Sequence, residues 1–206
     1  MRLASVAVLL SFTFAVQSQA ASVDAFAPQR NTDVGDMAKT FPQVIAPEHA
    51  PSTIAIGPKD EPGDRMGVTG EVTDGKAPVA DATVYVYLAD ARGCYPADCG
   101  DHGPHTFSAR LFGAMRTDAQ GHYRYETIRP KGYGGGPAHV HYIVSTREPK
   151  GWQFEMSFAD DPVVAGWKNG TIKTPDYVAK GVSVRPATKD AQGIWHVTQD
   201  IVLKQN

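Results

Sequence analysis

Short apolar stretches separated by glycine, aspartate and proline make up the chain from residue 67 onwards. Within them apolar and polar residues tend to alternate, which is the period of a β-strand. In residues 83–88, Val84 and Val86 fall on one face and Tyr85 and Tyr87 on the other. The pattern predicts strands at residues 68–72, 83–88, 109–116, 122–127, 138–145, 153–158, 182–185 and 195–203. It contains no long amphipathic helix, so it indicates an all-β sandwich or barrel.

The first 64 residues lack this pattern and divide into two parts. Arg2 precedes an apolar run over residues 3–16, and Ser18 and Ala20 are small residues at the positions that a signal peptidase requires. The run is shorter than the about 20 residues of a membrane span. We therefore predict a signal peptide over residues 1–20 that is cleaved after Ala20, with an uncleaved anchor as the alternative.

This prediction implies export to the periplasm or the medium, with no membrane attachment after cleavage. Residues 21–64 contain six spaced prolines and no periodicity, which predicts an irregular N-terminal arm. Residues 65–206 are predicted to form the β-sandwich domain.

Composition excludes several classes of protein without choosing a function. Of the 206 residues 42% are hydrophobic, which is enough for one core, and 20 Gly and 15 Pro are too few for a collagen. The formal net charge is −2. A nucleic-acid partner is not expected, because proteins that bind one usually carry a strong basic excess.

The two cysteines, Cys94 and Cys99, lie five positions apart in a segment rich in Gly, Pro and Asp. In an exported protein a disulfide is the default expectation for such a pair. The alternative is a pair of thiolate metal ligands, for which His102 and His105 are near enough in sequence to contribute.

A histidine pair, His139 and His141, lies within the predicted strand 138–145. Residues i and i+2 of a strand point to the same face, so both imidazoles are placed to bind one metal ion. The same spacing also describes an ordinary polar strand face. Tyr133 lies in a glycine-rich loop just before the pair, where it is either a phenolate ligand or a half-buried tyrosine with a hydrogen-bonded hydroxyl. Phenolate and imidazole ligands together favour a hard ion such as ferric iron.

Several segments resemble the intradiol ring-cleavage dioxygenases, which are non-haem Fe(III) enzymes that open catechol-type rings. Residues 70–82 are similar to the first hairpin of that family, and residues 89–95 and 117–133 to the runs that end in its two tyrosine ligands. Residues 137–141 are similar to the segment with its two histidine ligands. The resemblance covers about two thirds of the chain. Its most specific feature is the order of the motifs, in which two tyrosines are followed by His-x-His.

The resemblance implies an antiparallel β-sandwich of the prealbumin-like type, with Fe(III) bound by Tyr95, Tyr133, His139 and His141. Tyr95 comes from the resemblance alone, since nothing else distinguishes it among eight tyrosines. Tyr133 matches the tyrosine that substrate displaces. The implied substrates are a small aromatic diol and O2, the ring is cleaved between its hydroxyl-bearing carbons, and the product is a muconate-type diacid. Family members often dimerise, so a homodimer is compatible with the resemblance.

One position departs from the family, because Gly136 stands where an arginine usually precedes the first histidine by three residues. A cation there would stabilise negative charge that develops on the substrate. Other arginines that could take its place, each of which could equally be a surface charge, are Arg110, Arg116, Arg129 and Arg185.

Two other functions remain open on the sequence. One is a non-catalytic, exported β-sandwich binding module of the prealbumin-like type, which would need none of the four proposed ligands. The other is a zinc or copper site that uses the histidine pair together with His102 or His105.

Overall fold

The computed structural model describes residues 32–36, 46–100, 108–146, 150–178 and 182–203. In this part of the chain the strands are β1 (Thr32–Asp36), β2 (Thr53–Ala55), β3 (Arg65–Thr73), β4 (Thr83–Leu88), β5 (Leu111–Arg116), β6 (His122–Ile128), β7 (His139–Ser145), β8 (Lys150–Phe158), β9 (Val182–Arg185), β10 (Ala187–Lys189), β11 (Trp195–Thr198) and β12 (Ile201–Val202). One helix, α1 (Pro162–Asn169), follows β8. Nowhere in these ranges is a helix long and apolar enough to cross a membrane.

The strands form two sheets, which confirms the predicted all-β sandwich. The first sheet has the order β1-β8-β7-β4-β5, with β9 also paired to β8. The second has the order β10-β11-β3-β6-β2, with β12 also paired to β3. The long central strands pair in antiparallel fashion, as predicted. Four short strands instead join in parallel: β2, β9, β11 and β12.

Strand β4 shows how the sequence pattern becomes two layers of packing. Every residue from Thr83 to Leu88 is buried. Val84 and Val86 point into the core between the sheets, whereas Tyr85 and Tyr87 belong to a second apolar cluster on the outer face of the first sheet. The predicted alternation is therefore confirmed, and the sheet is covered on both faces at this point.

Two predictions about secondary structure need correction. The segment 21–64 contributes two strands, and β1 and β2 pair with β8 and β6 at the sheet edges. Edge pairing uses backbone groups, so it requires no periodic side-chain pattern. The predicted strand over residues 195–203 is divided into β11 and β12 by Gln199, whose carbonyl packs against Gly70 and accepts a hydrogen bond from the Tyr123 hydroxyl.

Helix α1 closes one side of the first sheet. Asp161 caps its N-terminus by accepting a hydrogen bond from the Val163 backbone N–H, and Gly170 ends it in the left-handed region. Its buried face places Trp167 against Val182 and Val184 of β9. The helix thereby positions the following segment, up to Tyr177, beside the end of β7 where the histidine pair lies.

Candidate metal centre

The histidine pair is presented by the central region of the first sheet. Strand β7 lies between β4 and β8, and Val140 is buried in the inter-sheet core. His139 and His141 therefore share the outer face, as the strand period predicts. Their Nε2 atoms are 3.1 Å apart. The ring of His141 stacks on Tyr87 of β4, with centroids 4.4 Å apart and planes within 7°.

Tyr95 reaches the histidines from the loop that follows β4. Its side chain is 3% exposed, and its hydroxyl lies 2.8 Å from Nε2 of His141 and 3.3 Å from Nε2 of His139. Asp90 holds the loop by accepting hydrogen bonds from the backbone N–H groups of Arg92 and Cys94. The backbone around Tyr95 is thus ordered by local polar contacts.

A disulfide joins Cys94 to Cys99 and so encloses Tyr95 in a short covalent loop. This confirms the default prediction for the two cysteines and excludes them as thiolate ligands. His102 and His105, the additional ligands considered for a zinc or copper site, lie outside the described residues.

Tyr133 comes from the loop between β6 and β7. Its hydroxyl is 3.4 Å from that of Tyr95, and its ring centroid is 5.4 Å from that of His139. The loop turns tightly, since the Gly136 backbone N–H donates to the Tyr133 carbonyl over 2.9 Å. A side chain at Gly132 would lie 2.4 Å from the Gly136 carbonyl oxygen, so the turn requires glycine there.

The four residues named from the sequence therefore bring their donor atoms to one point. Tyr95 and the two histidines have donor atoms 2.8–3.3 Å apart, and Tyr133 adds its hydroxyl at 3.4 Å from Tyr95. A metal ion with bonds of about 2.0–2.1 Å holds neighbouring ligand atoms about 2.9–3.4 Å apart. The arrangement thus fits four ligands around one ion.

The chemistry of these donors indicates the kind of ion. Burial, and then the hydrogen bond with Tyr133, raise the pKa of Tyr95 well above its usual range. A phenol in such surroundings becomes a phenolate ligand only beside a strong positive charge. Two phenol oxygens and two imidazole nitrogens form a hard ligand set, which suits ferric iron.

The outer nitrogen of each histidine faces an acceptor. Nδ1 of His139 lies 2.9 Å from the carbonyl oxygen of Pro137. Nδ1 of His141 lies 3.5 Å from Oε1 of Glu155 on β8. Burial raises the pKa of Glu155. His139, His141 and Glu155 have potential ligand atoms within 4.8 Å of one another.

The sequence analysis did not identify Glu155. The available signal was a lone carboxylate in the largely apolar run of residues 152–158. Its relation to the histidines depends on strand register, because His141 of β7 pairs directly with Glu155 of β8.

An open cleft of about 520 Å³ leads to Tyr133, His139 and Glu155. Gly134 and Gly135 form part of one wall, and a side chain at either would meet no atom within 4 Å. Gly136 and Pro137 continue this wall, and the opposite lining comes from α1 and the segment after it, where Trp167, Ile172, Lys173, Pro175 and Tyr177 contribute. The cleft is large enough for a small aromatic molecule.

None of the four arginines considered as substitutes at Gly136 is among the described residues that line this cleft. Arg110 binds Glu61 and Asp90, Arg116 binds Asp81, Arg129 binds Asp160, and Arg185 donates to Gln199. Among the described lining residues, the cationic side chain is Lys173.

Comparison with known proteins shows a consistent likeness. Residues 40–204 match the family described as Dioxygenase. The chain is 31% identical to catechol 1,2-dioxygenase 1 of Acinetobacter lwoffii over 133 residues, which cover 55% of this chain and 42% of that protein. It is 34% identical to the protocatechuate 3,4-dioxygenase beta chain of Burkholderia cepacia over 114 residues, covering 50% and 48%.

The chain thus spans about half the length of the curated relatives that it matches. Among solved structures, catechol 1,2-dioxygenase from Acinetobacter sp. ADP1, inhibited by bound mercury, is similar with a TM-score of 0.58. The two are 21% identical, and the match covers 76% of this chain and 59% of that one. This likeness shows that the fold is shared.

Proposed function

Since the chain belongs to the intradiol ring-cleavage dioxygenase family, we propose that it is an Fe(III) enzyme that opens a catechol-type ring. The iron ligands are Tyr95, Tyr133, His139 and His141. The substrates are a small aromatic diol and O2, and cleavage between the two hydroxyl-bearing carbons gives a muconate-type diacid.

The observation that carries this proposal is the convergence of the four donor atoms at the base of an open cleft. A non-catalytic binding module needs none of these four residues, so their convergence favours the enzyme. Bound Fe(III) would supply a Lewis acid that withdraws electron density from the aromatic diol and so activates its ring towards O2.

The two tyrosines are suited to different tasks. Tyr95 is almost wholly buried and does not line the cleft, so it serves as a fixed ligand. Tyr133 is half-buried and lines the cleft. Its phenol oxygen is therefore the one that an incoming diol reaches, and it is placed to accept a proton from a substrate hydroxyl.

The remaining described walls bind and orient the substrate. Trp167 and Tyr177 offer aromatic surface, and Lys173 offers a positive charge. We place Lys173 as the residue that partly compensates for the missing arginine at Gly136, because it is the cation among the described lining residues.

Purification with iron tests the proposal directly. The iron-loaded protein should be reddish from charge transfer between tyrosinate and Fe(III), and metal analysis should find one iron per chain. Tyr133→Phe should change the visible spectrum, whereas the matched Tyr177→Phe, at the cleft mouth, should leave it unchanged. Oxygen uptake with catechol, hydroxyquinol and 3,4-dihydroxybenzoate then identifies the substrate. A colourless protein that takes up no iron would exclude the proposed activity.

We also propose that the protein is exported after cleavage following Ala20. The basic residue, apolar run and small residues of segment 1–20 support this, as does a disulfide between Cys94 and Cys99, since such bonds persist in oxidising compartments. Mass spectrometry of protein from the native host should find Ala21 at the N-terminus, and an intact Met1 would contradict it.

A further inference from the structure

We propose that Glu155 is a positioning residue, which holds His141 in the tautomer and orientation that metal binding requires. The inference rests on the proposed function, because it concerns a ligand of the proposed iron. Glu155 is not itself assigned as a ligand.

The register of two neighbouring strands brings the pair together. Strands β7 and β8 run antiparallel, and His141 is paired directly with Glu155. Directly opposed residues place their Cβ atoms about 4.5–5.5 Å apart on the same face of a sheet. The carboxylate therefore approaches His141 from the side, and Oε1 lies 3.5 Å from Nδ1.

The contacts of His141 define which nitrogen must carry the proton. Its Nε2 faces the other donor atoms, at 2.8 Å from the Tyr95 hydroxyl and 3.1 Å from Nε2 of His139. An imidazole nitrogen binds a metal through its lone pair, so the proton must be on Nδ1. Nδ1 is the nitrogen that faces Glu155.

At 3.5 Å the carboxylate lies beyond the usual length of a direct hydrogen bond. It acts on His141 mainly through its charge, which favours a proton on the facing nitrogen. Stacking on Tyr87 fixes the plane of the ring, and Glu155 then selects the tautomer and the rotation within that plane. The side chain of Glu155 is 29% exposed, so the cleft leaves it room to adjust.

His139 shows the same arrangement with a different acceptor. Its Nδ1 faces the Pro137 carbonyl at 2.9 Å, and its Nε2 faces the centre. Each histidine thus has an oxygen facing its outer nitrogen, a neutral carbonyl at hydrogen-bond distance for His139 and a more distant carboxylate for His141. An acceptor on the outer nitrogen of a ligating histidine raises its basicity, and the loss of such an acceptor typically lowers metal affinity 10–100-fold.

The test compares three variants of the full chain. Glu155→Leu removes the acceptor, Glu155→Gln keeps an acceptor but removes its charge, and Gln153→Leu is a matched control. Gln153 lies two residues earlier on the same face of β8 and pairs with Ile143, away from the histidines.

The first measurement is the tautomer of His141 by nitrogen NMR of histidine-labelled, metal-free protein. We expect the Nδ1–H tautomer in the wild type and in Gln153→Leu, and a mixture in Glu155→Leu. The second is iron affinity by competition with a chelator, where Glu155→Leu should bind about 10–100-fold more weakly. If Glu155→Leu does not fold, Glu155→Gln is the deciding variant. It should raise the reduction potential of the bound iron, because its neutral amide no longer favours Fe(III).

An unchanged tautomer and unchanged iron affinity in Glu155→Leu would overturn the inference, as would an equal loss of affinity in Gln153→Leu. An unchanged reduction potential of the iron in Glu155→Gln would also overturn the inference. A wild type that binds no iron would contradict the proposed function instead, and the tautomer comparison in metal-free protein would still decide the role of Glu155.

Discussion

Lys173 and Glu155 give the cleft one charge of each sign among its described residues, while Gly134 and Gly135 leave part of one wall without side chains. Glu155 lies beside the histidines, whereas Lys173 belongs to the exposed segment after α1. At the scale of single residues we therefore propose separate roles, in which Glu155 acts on the proposed metal ligands and Lys173 acts on the proposed substrate. A catechol with an anionic substituent is therefore the substrate that the cleft is expected to favour.

Replacing Lys173 with Met should raise KM for 3,4-dihydroxybenzoate and leave KM for catechol nearly unchanged, because only the first carries a carboxylate. The side chain is exposed, and exposed ion pairs contribute about 0.2–1 kcal/mol, so a rise of up to about five-fold is expected. Steady-state oxygen uptake measures both values. Lys168→Met, at the end of α1 and outside the cleft lining, is the control. An equal change for both substrates would contradict this role for Lys173.

At the scale of elements, the site depends on two loops that rest against each other. A side chain at Gly93, in the Tyr95 loop, would lie 3.0 Å from the Gly132 carbonyl oxygen and 3.3 Å from Cβ of Tyr133. The Lys131 backbone N–H also donates to the Asp90 carbonyl over 3.2 Å. The positions of the two tyrosines are therefore coupled through the backbone and do not depend on the sheet alone.

A methyl group at Gly132 should disturb this contact. In Gly132→Ala the new Cβ would meet the Gly136 carbonyl oxygen at 2.4 Å, which forces the turn before β7 to open. We expect a loss of about 1–3 kcal/mol in the free energy of unfolding and a weakened charge-transfer band, since Tyr133 moves. Urea unfolding and the visible spectrum of the iron-loaded protein measure the two effects.

Gly136→Ala is the matched control in the same loop, because its Cβ would lie 3.4 Å from the Tyr133 carbonyl oxygen, an ordinary contact. It should keep both the stability and the colour. Similar losses in the two variants would show that the close approach at Gly132 is not what shapes the loop.

At the scale of the molecule, a buried ion cluster ties distant segments together. Arg110 precedes β5 and donates both to Glu61, in the segment before β3, and to Asp90, in the loop after β4. Arg92 pairs with Asp90 as well. Glu61 and Asp90 are buried, so removing Arg110 would take the paired arginine from Glu61 and one of two arginines from Asp90. The cluster joins the N-terminal segment to the loop that presents Tyr95.

Acid should lower the free energy of unfolding, because Asp90 becomes protonated. Its burial opposes ionisation, but hydrogen bonds from Arg92, Cys94 and Arg110 outweigh this and lower the pKa of Asp90 to about 2, from 3.8. A lowered folded-state pKa means that the stabilisation is complete above the unfolded value and is lost as pH falls towards 2. Ionised Asp90 thereby contributes about 2 kcal/mol to the free energy of unfolding at neutral pH.

Urea unfolding of the wild type between pH 5 and pH 2 should show this loss. Asp90→Asn should be less stable at pH 5 and should depend less on pH over the same range. Asp98→Asn, an exposed position in the same loop, should behave like the wild type. Parallel pH profiles for wild type and Asp90→Asn would contradict the assignment.

Local patterns in the chain were sufficient for the central strands and for part of the site. The alternation of Val84 and Val86 with Tyr85 and Tyr87 predicted which residues share each face of β4, and the spacing of His139 and His141 predicted two imidazoles on one face. These features follow from the pleat of a strand, in which side-chain direction depends only on position along the backbone. The motif order in the sequence indicated the family as well.

Tertiary structure alone decided the features that depend on contacts between distant residues. Glu155 faces His141 through strand register, and Lys173 reaches the cleft because α1 turns the chain back. The contact of Tyr95 with His141, across 46 positions, was indicated by the family motifs and by no local pattern. The strands β1 and β2 join sheet edges through backbone hydrogen bonds that leave no side-chain pattern. Sequence periodicity shows only on which face of its own strand or helix a residue lies. These contacts depend on how separate elements pack against each other, which no local sequence pattern records.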